Sequence, residues 1–152
     1  MRLKNIIPLL TACVLSFALH SCAEDREETL LRDLTDGYWL QEEAPDQPLM
    51  RFSGSEQLFY YIHSAPDATG RYDACYDTSI QPYTKYAIDF RNGRLCLLPD
   101  RWYDILVLDA STLSLGDDEG GYVKFIKIPA GSVTVLTLEE YRDRHPEAVS
   151  GS

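Results

Sequence analysis

The chain has 152 residues, 14 Lys+Arg against 24 Asp+Glu, and a formal net charge of −10. So acidic a polypeptide repels phosphate backbones and anionic headgroups, which argues against nucleic acid as a partner and against electrostatic attachment to a membrane surface. It names no partner; it mainly favours solubility.

The first residues have the parts of an export signal. Arg2 and Lys4 form a positive end, Ile6 to Leu19 is mostly apolar with Pro8, Thr11 and Ser16 interrupting it, and the small residue Ser21 precedes Cys22. The apolar run is too short to cross a hydrocarbon core of roughly 30 Å as a helix. Leu19-His20-Ser21-Cys22 resembles the lipobox of lipoproteins cut by the lipoprotein signal peptidase. The resemblance implies that residues 1–21 are a lipoprotein signal peptide and that Cys22 becomes the N-terminus and carries acyl chains. Each buried methylene of such a chain contributes about 0.8 kcal/mol, so several hold a protein to a bilayer without a spanning helix. The plainer alternative is an ordinary signal peptide cleaved near Ser21. Ala23-Glu24-Asp25-Arg26-Glu27-Glu28 resembles the surface-export signals of lipoproteins from Bacteroides-type bacteria, and equally suits a solvated tether. The expected location is the bacterial outer membrane, lipid-anchored, with the periplasmic or cell-surface face left open.

Without the signal, 12 basic residues face 24 acidic ones, a charge of −12, in a chain long enough for one domain with a real core. Residues 22–34 read as an acidic tether or short helix, since Thr29 to Leu34 has suitable apolar positions and Thr35-Asp36-Gly37 breaks the pattern. Residues 35–136 read as the β domain. Strands are expected near 38–41, 49–53, 57–63, 71–76, 83–91, 94–98, 103–109, 112–115 and 122–128, separated by Gly, Pro, Asp, Asn and Ser clusters. Asn92-Gly93 predicts a two-residue hairpin turn of the I′ type. Tyr86, Ile88 and Phe90 share one strand face; Ile105 and Val107 oppose Leu106 and Leu108. Roughly eight strands in sequence order predict an all-β, antiparallel meander, and closing it into a barrel removes the exposed edges. Residues 137–152 form a C-terminal helix and tail. Thr137 and Glu140 match a capping box, Pro146 stops the helix near His145, and Leu138 and Tyr141 are expected to face the sheet.

Few residues carry chemistry. Beyond the signal there are two histidines, His63 and His145, with no HExxH, no G-x-S-x-G, no CxxC and no phosphate loop. No acid, base and nucleophile stand together, so no catalytic residues, metal ligands or cofactor are expected and the protein is read as a non-enzyme. Asp117-Asp118-Glu119-Gly120-Gly121 is the best acidic cluster, but it reads first as a polar hairpin tip and only second as a calcium loop. Cys75 and Cys96 either form a disulfide, closing a loop worth roughly 3 kcal/mol, or stay as two separate buried thiols.

Leu34-Thr35-Asp36-Gly37-Tyr38-Trp39 resembles the Gly-x-Trp opening of lipocalins, and Tyr103 to Leu115 resembles a strand-turn-strand stretch of lipocalin-like domains in small lipoproteins of Bacteroides-type bacteria. The resemblance implies a lipocalin-like barrel and an apolar ligand inside it. Ten tyrosines, two tryptophans and five phenylalanines suit either such a cavity or plain sheet packing. The first expected function is therefore a membrane-anchored envelope lipoprotein that binds a small hydrophobic ligand, with Trp39, Phe52, Tyr60, Tyr86, Ile88 and Phe90 as candidate lining. The alternative is a non-enzymatic accessory subunit with a filled barrel, whose partner is another envelope protein or an extracellular polymer.

Overall fold

A computed structural model describes residues 24–149, apart from 55, 78, 80–83 and 98–100. The signal, Cys22 and Tyr83 lie outside the described residues. The chain divides into two units with the boundary between Arg32 and Asp33. Helix α1 runs through residues 24–35, so its last residues, Asp33, Leu34 and Thr35, belong to the second unit.

That second unit is mostly β-sheet, with ten strands among the described residues: β1 (Tyr38–Gln41), β2 (Leu49–Ser53), β3 (Gln57–His63), β4 (Tyr72–Tyr76), β5 (Thr84–Asp89), β6 (Arg94–Leu97), β7 (Trp102–Leu108), β8 (Thr112–Gly116), β9 (Tyr122–Ile128) and β10 (Val133–Leu136). Eight of them form a closed ring in the order β3-β2-β1-β9-β8-β7-β6-β5, completed by Gln57 opposite Lys85 and Leu58 opposite Thr84 between β3 and β5. All ring pairings are antiparallel. The period of two then sends one set of side chains inward. Leu34, Trp39, Met50, Phe52, Leu58, Tyr86, Leu95, Leu113, Leu115 and Phe125 make the interior cluster.

One end of the ring is closed by the chain that enters it. Leu34 is fully buried in the interior cluster, and its carbonyl accepts a 2.8 Å hydrogen bond from the Trp39 indole. Gly37 makes the approach possible. Its φ of 106° favours glycine, and a Cβ would meet the Ile128 carbonyl oxygen at 2.8 Å. Trp39 thereby lies opposite Lys127, whose ammonium sits 5.0 Å from the indole centroid and bonds the Asp33 carbonyl.

The other two strands form a flap. β3 pairs with β5 through Gln57 and Leu58 but with β4 through Tyr61, Ile62 and His63, on the same edge. β10 then joins β4 in parallel, Val133 opposite Tyr72 and Leu136 opposite Cys75. Only residues 129–132 connect β9 to β10, so the flap returns to the end of β9. There Tyr72, Val133 and Tyr61 pack with Tyr38, Leu40, Leu49, Ala74 and Ile128 as a second apolar cluster outside the ring. Helix α2 (Leu138–Arg144) covers the other flap face, placing Tyr141 on Cys75, Leu136 and Ile62. Its start is the capping box: the Thr137 hydroxyl accepts from the Glu140 amide, and Glu140 accepts from the Thr137 amide.

Several details differ from the sequence pattern. Val133–Leu136 is an additional strand, tied to the sheet by a parallel partner far away in sequence. Asn92-Gly93 is part of a longer turn: β5 ends at Asp89, opposite Arg94, and the Asp89 carboxylate accepts from the Arg91 and Asn92 amides. Gly93 has the positive φ of 62°. Leu138, at 37% exposure, does not face the sheet; Tyr141 does. In β7 a bulge between Ile105 and Val107 shifts the alternation, so Tyr103, Ile105 and Leu108 pack on the interior cluster while Leu106 and Val107 both point outward.

Candidate functional site

Five of the six proposed lining residues come together inside the ring. Trp39 and Phe52 are fully buried, Tyr86 nearly so, and Tyr60 and Ile88 pack against the same cluster. They touch one another: the Phe52 and Tyr86 rings meet edge to face, 5.0 Å apart. The Tyr86 hydroxyl donates to the Gly54 carbonyl, and burial pushes its pKa up, as it does that of Tyr60, to which the nearby Tyr103 adds. Both phenols therefore stay protonated. Phe90 separates from the set, because β5 stops at Asp89 and Phe90 falls in the turn.

Cys75 and Cys96 are free thiols, so the disulfide alternative is corrected. The fork at β3 is the reason. Cys75 lies on the flap beneath Tyr141, whereas Cys96 lies in ring strand β6 between Ala87 and Trp102. Leu95 and Leu97 pack on the ring interior, so Cys96 takes the opposite face. Burial, with Asp77 nearby, pushes the Cys75 thiol above its ordinary value, which keeps it in the unreactive form.

The histidines have structural partners. His63 ends β3 with Nδ1 2.8 Å from the Ser64 carbonyl and Nε2 3.0 Å from that of Gln47. His145 Nε2 lies 3.0 Å from Asp73 Oδ2, tying the end of α2 to β4. Among the described residues, no three His, Cys, Asp or Glu side chains are gathered as a metal-binding group, and no helix is long and apolar enough to cross a membrane.

Two features stand out at the surface. The first is the outer face of β7, β8 and β9, where Leu106 (56% exposed), Val107 (42%) and Tyr122 (57%) are large apolar side chains in water. Leu106 lies over Gly116, where an added Cβ would come within 3.3 Å of it, and Tyr122 pairs with Gly116 in the ladder. The Tyr122 hydroxyl is 3.4 Å from the Ser114 hydroxyl. Lys124 and Glu42, ion-paired at 2.9 Å, flank the patch.

The second is a depression of about 280 Å3 at the end of the ring away from Leu34. Leu115, Tyr103 and Val123, all packed on the interior cluster, form its floor. Arg101 and Asp117 stand at its edge, Nη2 to Oδ2 3.5 Å, and the guanidinium lies 5.3 Å from the Tyr103 ring centroid. The acidic run 117–121 is the β8–β9 hairpin: the Asp117 amide bonds the Gly121 carbonyl, and the Asp117 carboxylate accepts from the Glu119 and Gly121 amides. Sequence reading did not pick out Arg101, Tyr103 or Asp117 as a set, since they meet only through the ladder of β7, β8 and β9.

Against known proteins, no family model, no curated protein and no solved structure matches the chain.

Proposed function

We propose that this chain is an envelope lipoprotein, held to the outer membrane by acyl chains on Cys22. Its eight-stranded ring is a filled, lipocalin-like barrel that serves as an interaction subunit for another envelope protein. The observation that carries this reading is the β7 bulge, which turns Leu106 and Val107 outward side by side next to the exposed Tyr122. Exposed apolar side chains grouped on one sheet face, rimmed by charges, mark interaction sites. A stable interface needs about 1,200 Å2 or more in total, so this patch would be the centre of a larger footprint whose rim includes Asp104, Lys124 and Glu42.

The interior supports a surface role over a ligand cavity. Trp39, Phe52, Leu58, Leu95 and Leu113 occupy the middle of the ring in mutual contact, and Leu34 closes one end. For the candidate lining residues, packing explains their burial without a guest.

The test is native mass spectrometry of protein purified from its own envelope, with a photo-crosslinking side chain at Val107 in a parallel sample. The expected result is one companion polypeptide at fixed stoichiometry, crosslinked through position 107 and lost on Leu106→Glu. A solitary protein would reject the interaction reading; a stoichiometric lipid retained by a solitary protein would favour the small hydrophobic ligand instead. Anchoring is tested separately. Cys22→Ser should release a soluble form or leave an uncleaved precursor, and unchanged processing with unchanged membrane association would reject it.

A further inference from the structure

The depression beside the β8–β9 hairpin has a composition that selects a ligand class. We infer that it binds one neutral sugar ring, a free monosaccharide or the terminal unit of a glycan. The inference does not rest on docking at the outer face of β7, β8 and β9, although Tyr122 borders both places.

Charge comes first. Arg101 and Asp117 neutralise each other across the edge of the depression. A carboxylate or phosphate approaching the guanidinium would meet the Asp117 carboxylate beside it, in a chain that already carries a net charge of −10. An organic cation approaching the carboxylate would meet the Arg101 guanidinium. A neutral polyol meets neither repulsion. A hydroxyl both donates and accepts, so two neighbouring sugar hydroxyls can donate to Asp117 and accept from Arg101 while the ion pair persists.

The acceptor is also held in position before any ligand arrives. Asp117 Oδ1 takes the Glu119 and Gly121 amides, which leaves Oδ2 to face Arg101. Gly121 is required for this arrangement, because a Cβ there would collide with the carboxylate. A preorganised carboxylate loses little freedom on binding.

Shape and apolar surface agree with the same class. Sugar rings present C–H groups on their faces, and those groups need an aromatic or aliphatic floor. Val123 and the Tyr103 ring supply it above the buried Leu115, and Tyr122 stands exposed at the rim. The volume of about 280 Å3 is just below the usual range of small-molecule sites, which favours a small ligand over a drug-sized one.

The test is amide chemical-shift mapping of the full protein, held in a detergent without a sugar headgroup. It is titrated with a panel of neutral methyl hexosides and N-acetylhexosamines, and with benzoate and choline as charged comparators. The expected result is saturable shifts at Glu119, Gly121 and Tyr122 for at least one neutral sugar, at millimolar concentration, and none for benzoate or choline. Arg101→Gln should weaken that sugar by about tenfold or more, since one charged hydrogen-bond donor is lost. Because the Arg101 side chain is 60% exposed, this variant should fold, and Tyr122→Ser provides a second one outside the hairpin turn. Silence across the neutral panel would overturn the inference. So would tighter binding of benzoate or choline, or sugar shifts that survive Arg101→Gln unchanged.

Discussion

The ring and the flap use the same kind of strand but are tied into the molecule differently. In the ring, each strand pairs with the next one in sequence, except where β3 passes over β4 to meet β5 and where β9 returns to β1. In the flap, β10 reaches back to β4 across about half of the second unit, in parallel, and α2 then seals the pair with a single buried tyrosine. Local pairing with one large shared core gives a cooperative body. A distant pairing with a small core of Cys75, Leu136, Tyr141 and Ile62 gives an element able to open by itself.

Four changes separate these two behaviours. The largest effect is expected from Trp39→Ala, which removes a fully buried indole, its bond to the Leu34 carbonyl and its contact with Lys127. A loss of about 3–5 kcal/mol in urea unfolding is expected, and a loss under about 1 kcal/mol would mean that the ring does not depend on its closed end. Next comes Tyr141→Ala. It should cost about 2 kcal/mol, but chiefly as local opening, read as faster labelling of the Cys75 thiol with no matching change at Cys96. Equal acceleration at both cysteines would merge the ring and the flap into one cooperative unit.

Thr137→Ala is smaller still, about 1 kcal/mol from the lost cap, seen as reduced helical signal and not as a shift of the main sheet transition. The smallest effect is in acid. The Asp109 carboxyl is held below its usual range by the Ser111 amide, then by the Ser111 hydroxyl and the Thr112 amide. Asp67, Asp89 and Glu140 are lowered by similar bonds. A carboxyl with a depressed folded-state pKa contributes stability that is complete above the unfolded value, about 4. It is lost as the pH falls through the folded value. Stability should therefore hold from neutral pH to about 5 and decline below about 4. In Asp109→Asn the part of that decline due to the β7–β8 turn should vanish, as titration calorimetry or pH-dependent melting would read.

What the sequence made legible follows the same division. Alternation and turn residues place nine of the ten strands, and Thr137 with Glu140 places α2 to within a residue. These are local signals. Val133-Thr134-Val135-Leu136 is as β-rich as any accepted strand, but its partner is β4, and parallel pairings leave no mark on nearby residues. The β7 bulge defeated the face assignment in the same way. Leu106, Val107 and Leu108 are all apolar, so only the register against β8 tells which two face water. Five of the six candidate lining residues share the interior because strand faces are readable, whereas Phe90 leaves the set where the Asp89 carboxylate ends β5 two residues before the expected end. The depression was invisible for another reason. Arg101, Tyr103 and Asp117 are unremarkable residues until the ladder sets them around one opening.

The fork in β3 makes the two residues between Leu58 and Tyr61 the hinge of two separate registers. A single amino acid inserted there would leave Gln57 and Leu58 facing β5, and would turn Tyr61, Ile62 and His63 over with respect to β2 and β4. The aromatic layer and the tyrosine seal would then exchange sides while the circle of strands stayed closed. Length in that short stretch is thus held by two ladders at once. Relatives of this chain should keep the number of residues there, while the side chains at 59 and 60 need only keep the packing of Phe59 on Tyr76 and of Tyr60 on the interior.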